Sequence, residues 1–175
     1  MTETETETET GPTPSPTPIF SAADGIDKLW MQAYQGEVLG EALFGALAER
    51  IDDAEHARKM RVLATLELRT KEAVAPALER AGISIEPDPE MLGLAEALAP
   101  DSATKAWDEV MGSLVAVTGQ FIPLYERIGE LDPAEREAAD LLVAHEQALR
   151  DFARAELAGD TATSLDPVHA LAHMR

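Results

Sequence analysis

Glu37 and Glu41 interrupt the apolar stripe of a long helical segment, with Trp30, Ala33 and Tyr34 before them and Phe44, Ala48 and Ile51 after. At about 100° per residue all of these fall within one arc roughly 100° wide, so packing by the apolar face would bury two carboxylates. Such burial costs on the order of several kcal/mol unless compensated, and a metal ion is one compensator. Glu67 interrupts a second stripe, made of Met60, Leu63, Thr70 and Val74. His145 lies among Leu142, Leu149 and Phe152, with Glu146 about 100° round the same helix. Carboxylate oxygens with one imidazole suit iron, manganese or zinc, which makes Glu37, Glu41, Glu67, His145 and Glu146 candidate ligands.

Each candidate also has a metal-free reading. Glu37 and Glu41 could be salt-bridged or partly wet, and Glu67 an exposed residue at the edge of its stripe. His145 could be a core histidine bonded to a neighbour, and Glu146 a surface partner of Arg150 at i,i+4. Asp53 and His56 read as the cap of a helix, and His169 and His173 as a surface pair.

The elements that would position these residues are helices. Residues 1 to 20 hold a Thr-Glu repeat followed by PTPSPTP, a composition that predicts a disordered acidic tail. From 21 to 160 Ala, Leu and Glu recur at helical spacing. The first helix is predicted from about Asp24 to Ile51, and the second from Asp53 as cap to Arg80, with Pro76 either kinking it or marking its last turns and Gly82 as its stop. A long connection follows, with a short helix predicted over Pro89 to Leu98. The third helix is predicted to begin after an Asp101-Ser102 cap and run to Ile128, and the fourth to open at Asp132-Pro133-Ala134-Glu135 and close before Gly159. Residues 161 to 175 form a C-terminal extension in which Asp166-Pro167 could start a short helix.

Helices of about 26 residues are rods of about 39 Å, the dimensions of a four-helix bundle. Tight connections make each outer pair an antiparallel hairpin, and the long middle one can cross the bundle and leave the second and third helices parallel. Glu37 stands about 14 residues before the first turn and Glu67 about 14 after it, so the two share one level. His145 and Glu146 lie at a matching depth. The third helix offers only an apolar stripe of Trp107, Val110, Met111, Leu114, Val117, Phe121, Leu124 and Tyr125.

Charge and composition narrow the function. A net charge of -19 argues against nucleic-acid or anionic-membrane partners, and the absence of cysteine excludes disulfides, thiolate metal sites and a cysteine nucleophile. No long apolar run or secretory leader is evident, which makes a cytoplasmic location the expectation. Ala/Gly-rich faces are compatible with a homodimer. Nothing in the residues specifies a small-molecule substrate.

The segments AYQGEVLGEALFGALAERIDDAEHARKMRVLATLELRT and AHEQALRDFARAELAG resemble the first hairpin and fourth helix of the ferritin-like superfamily, including rubrerythrin-type proteins. The resemblance covers roughly residues 25 to 159. It implies an all-α, ferritin-like four-helix bundle with a long crossover between helices 2 and 3. By that likeness Glu37 is the first-helix metal glutamate, Glu67 the second-helix one, and Glu146, or else His145, the fourth-helix ligand. The family's Glu-x-x-His hallmark is absent: Thr70 stands three residues after Glu67 and Leu149 three after Glu146. The expectation is therefore a site of altered ligation holding iron or manganese, with an O2-activating oxidoreductase as the activity it would suit; the alternative is a metal-free bundle with a structural or small-ligand-binding role.

Overall fold

A computed structural model describes residues 25–175, and every regular element in that span is helical. The acidic tail and the predicted start at Asp24 lie outside the described residues. The first hairpin is α1 (Ile26–Arg50) and α2 (Ala54–Arg80). The Asp53 carboxylate accepts the backbone N–H groups of Glu55 at 3.0 Å and His56 at 2.8 Å, satisfying donors that the first turn of α2 leaves free. Helix α2 continues through Pro76 and stops before Gly82, whose φ of 71° is a left-handed conformation that glycine adopts without penalty.

The connection is more helical than the sequence suggested. Helix α3 (Pro89–Thr104) runs through Pro100, Asp101 and Ser102, where a cap was expected. The chain breaks instead at Lys105 and Ala106, both extended, because the Glu109 carboxylate reaches back to accept the Ala106 N–H at 3.0 Å. Gln35 ties the start of this segment to α1, donating to the Glu86 carbonyl at 2.8 Å and accepting from the Asp88 N–H at 2.9 Å. Helix α3 therefore lies along α1 rather than inside the core.

The second hairpin is α4 (Trp107–Leu131) and α5 (Arg136–Ala158). Asp132 does not cap it as predicted. A 3₁₀ turn over Pro133–Glu135 intervenes, and the Asp132 carboxylate accepts the Trp30 indole N–H at 3.0 Å instead. Gly159, with φ 85°, closes α5 where expected. The inward face of α4 is rotated from the predicted stripe: Thr118 and Ile122 are buried, whereas Val117 is 45% exposed.

Long-range pairs give the helix directions. Arg80 with Glu135, Thr70 with His145 and Lys59 with Glu156 run in opposite order along α2 and α5, so these helices are antiparallel. Trp30 with Asp132 sets α1 antiparallel to α4, and α2 and α4 consequently point the same way. Phe44, Leu47, Leu63, Leu66, Met111, Leu149 and Phe152 fill one end of the core; Leu29, Trp30, Val74, Leu78, Ile128 and Leu142 fill the other. Among the described residues, no helix is long and apolar enough to cross a membrane.

Residues beyond Gly159 fold back on the helices. Short α6 (Asp166–Ala170) buries Val168 behind Leu165, and the last turn, Ala172–Met174, reaches α2. Beneath this segment lies a buried ion pair: Lys59 Nζ donates to Glu156 Oε1 at 2.5 Å and to the Thr161 carbonyl at 3.0 Å, while Trp107 Nε1 donates to Glu156 Oε2 at 2.8 Å. Burial pushes the Glu156 carboxyl up, but the bonds from Lys59, Ser164 and Trp107 outweigh it and hold the group below the usual range.

Removing one partner strands the other charge, so Lys59→Met is expected to cost about 3–5 kcal/mol in chemical denaturation, and adding Glu156→Leu to recover much of it. A depressed carboxyl stabilises above its unfolded value of 4.5 and ceases to as pH falls through its folded value. The wild-type advantage over the double variant is thus expected to shrink on acidification; a gap independent of pH would contradict the pairing.

Candidate metal centre

Three helices bring Glu37, Glu67 and His145 to one level of the core. One donor atom from each lies within 4.8 Å of the others, and all three residues are buried. His145 Nε2 is 3.3 Å from Glu37 Oε2 and 3.5 Å from Glu67 Oε2. On the other side of the ring, His145 Nδ1 is 2.9 Å from Thr70 Oγ1, which is itself 3.1 Å from His173 Nε2. The imidazole is thereby fixed in its plane with one nitrogen aimed at two carboxylates.

Glycine makes room for this arrangement. A Cβ on Gly40 would stand 2.7 Å from the Glu67 carboxyl carbon and 2.8 Å from Oε2, so the carboxylate occupies space that any other residue on α1 would fill. Neither Gly40 nor the supporting hydroxyl of Thr70 was evident as a site residue from the sequence. The signal was there: both stand within a turn of a candidate glutamate on the same apolar face.

The other candidates separate. Glu146 is buried beside the cluster and not at the surface with Arg150; its Oε2, like Glu37 Oε2, has no hydrogen-bond partner among the described residues. Glu41, one turn beyond Glu37, is not brought into the cluster: it is partly exposed and forms an ion pair with Lys71 of α2. Four residues advance a helix by about 400°, so Glu41 is turned about 40° from Glu37, which leaves Glu37 buried and Glu41 at the α2 seam beside Lys71. His56 belongs to the α2 cap as expected, stacked on Trp107 at 3.9 Å between ring centroids. His173 is not a surface residue paired with His169; it is partly buried against Thr70.

Burial governs the protonation of the cluster. Desolvation raises Glu37 to about 7 despite a hydrogen bond with Glu67 and the charge of Lys71. Glu67 is pushed well above the carboxylate range by desolvation and then by Glu37, and Glu146 likewise. His145 is driven down to about 3 by burial and by His173, which keeps its imidazole neutral and its nitrogen lone pair available. Two carboxylates that resist ionisation, an imidazole that resists protonation and an unpartnered carboxylate oxygen together fit a divalent cation. Its charge would neutralise Glu37 and Glu67 inside the core.

A cavity of about 290 Å³ opens on this cluster between α1, α3 and α4. Leu43, Leu47, Leu98, Leu114 and Phe121 form its walls, while Glu37, Glu67 and Glu146 supply acidic groups. Val117, displaced from the predicted core, lines it too. No family model, curated protein or solved structure matches the chain.

Because the clashing atoms belong to the flexible end of Glu67, Gly40→Ala is expected to fold with stability within about 1 kcal/mol of wild type while displacing the Glu67 carboxylate from His145. A crystal structure of the variant checks this; an unmoved carboxylate would contradict the role given to Gly40.

Proposed function

We propose that the protein is a ferritin-like metal protein that binds a divalent ion, iron or manganese, through Glu37, Glu67 and His145. The observation that carries the proposal is the convergence of three buried donors from three helices, with an oxygen of Glu37 left without a partner. The ferritin-like part is supported by two antiparallel hairpins joined by a connection that leaves α2 and α4 parallel. Such an ion would supply a redox-active Lewis acid able to activate dioxygen. The protein's own contribution is to hold the donors rigid, keep His145 neutral and exclude water with an apolar cavity. That cavity favours a small apolar substrate, with Glu146 and Tyr125 among the polar side chains that line it.

One observation favours the metal-free alternative. Carboxyls with raised pKa values can share protons with one another, so a neutral cluster could persist without an ion and serve a structural or ligand-binding role. Metal analysis after expression with iron or manganese separates the two. The metal reading expects close to one tightly held ion per chain, abolished by Glu37→Ala; the metal-free reading expects none, with Glu37→Gln neutral or stabilising.

Protons compete for the same oxygens. Glu37 gives up its proton near 7, and burial lifts Glu67 well above the ordinary carboxylate range, so binding is expected to release protons and apparent affinity to rise steadily from about pH 6 to about pH 8. Isothermal titration in buffers of different ionisation enthalpy reads both effects. An affinity independent of pH would contradict ligation by these carboxylates.

A further inference from the structure

We propose that His173, carried by the C-terminal segment, is a positioning residue that sets which nitrogen of His145 faces the Glu37 and Glu67 carboxylates. The inference rests on the metal-binding reading above. It goes beyond it by making the last turn of the chain part of the centre.

For His145 to offer a lone pair from Nε2, its hydrogen must sit on Nδ1, whose partner is Thr70 Oγ1 at 2.9 Å. The Thr70 oxygen then accepts from His145 and must direct its own hydrogen elsewhere. His173 Nε2, at 3.1 Å, is the acceptor on that side. The row His145 Nδ1–H to Thr70 Oγ1, and Thr70 O–H to His173 Nε2, satisfies all three groups at once and leaves His145 Nε2 free to coordinate. With a side chain at 173 that cannot accept, the Thr70 hydroxyl loses this partner and can donate to His145 Nδ1 instead. That places the imidazole hydrogen on Nε2, pointing at the carboxylates where an ion would have to sit.

The segment bearing His173 is built to stay in place. Leu165 and Val168 are buried in the core, Leu171 and Met174 pack against it, and the Thr161 carbonyl is held by Lys59. The imidazole therefore arrives at Thr70 on an anchored strap, and not from a loose terminus.

Co(II) titration of the full chain tests this, read by affinity and by the visible ligand-field spectrum, with thermal unfolding followed in parallel. His173→Phe keeps a ring of similar bulk without an acceptor. It is expected to weaken Co(II) binding about 10- to 100-fold, the usual effect of disrupting the outer hydrogen bonds that orient a metal-bound histidine, and to alter the spectrum. His173→Gln, whose carbonyl can take the Thr70 hydrogen, is expected to recover most of the affinity. A His173→Phe protein with wild-type affinity and spectrum would overturn the proposal. So would a loss that His173→Gln fails to recover, because packing rather than the acceptor would then be responsible. If wild-type protein takes up no Co(II), both this inference and the metal-binding reading fall; if wild type binds and His173→Phe binds equally, only this one does.

Discussion

Ionisable groups are buried together at one level of a helical core, and the rest of the architecture answers that constraint. Charged carboxylates cannot stay unpaired in such surroundings. They must be protonated, paired with a cation, or joined to a metal ion. The protein uses the second solution for Glu156, enclosed by Lys59, the Trp107 indole and the Thr161 turn. At Glu37 and Glu67 it does not: Lys71 is paired with Glu41, and the nitrogen facing both carboxylates belongs to an imidazole that burial keeps neutral. The two buried acidic sites thus differ in kind, one closed by its own cation and the other arranged around donors.

Positioning follows from the hairpins. Two antiparallel pairs, with α2 running against α5, let residues equally far from their turns meet at mid-height. Gly40 then admits the Glu67 carboxylate against the α1 backbone, and Thr70 holds the far side of His145. Helix α3 lies over α1 and leaves an apolar space leading to the acidic groups, which explains why Val117 faces a cavity rather than the core. Fold and site are linked through these few contacts, since each donor is held by an element anchored elsewhere.

The long helices and the level of the site were legible because they depend on local signals: the 3.6-residue period, the Asp53 cap, Gly82 and Gly159, and equal counts from a turn. Glu37, Glu67 and His145 converge as the periodicity implied. What escaped was decided by contacts between segments distant in the chain. Asp132 looked like a cap but serves Trp30, and the buried pair of Lys59 and Glu156 joins residues 97 apart, which no local pattern announces. Glu41 shares the arc of Glu37 on a helical wheel, yet a small rotation and the presence of Lys71 assign it elsewhere. The C-terminal segment carried a hint in the spacing of Val168, Leu171 and Met174, but only tertiary packing could show that it brings His173 to the back of the site.

Whether these donors hold a metal ion can be seen in a crystal structure of the protein grown with saturating Mn(II) at about pH 8. An anomalous difference peak is expected in the core about 2.0–2.2 Å from a carboxylate oxygen of Glu37, one of Glu67 and Nε2 of His145, close to the range for such first-row metal ligands. A core with the three side chains in place and no anomalous peak among them would contradict it.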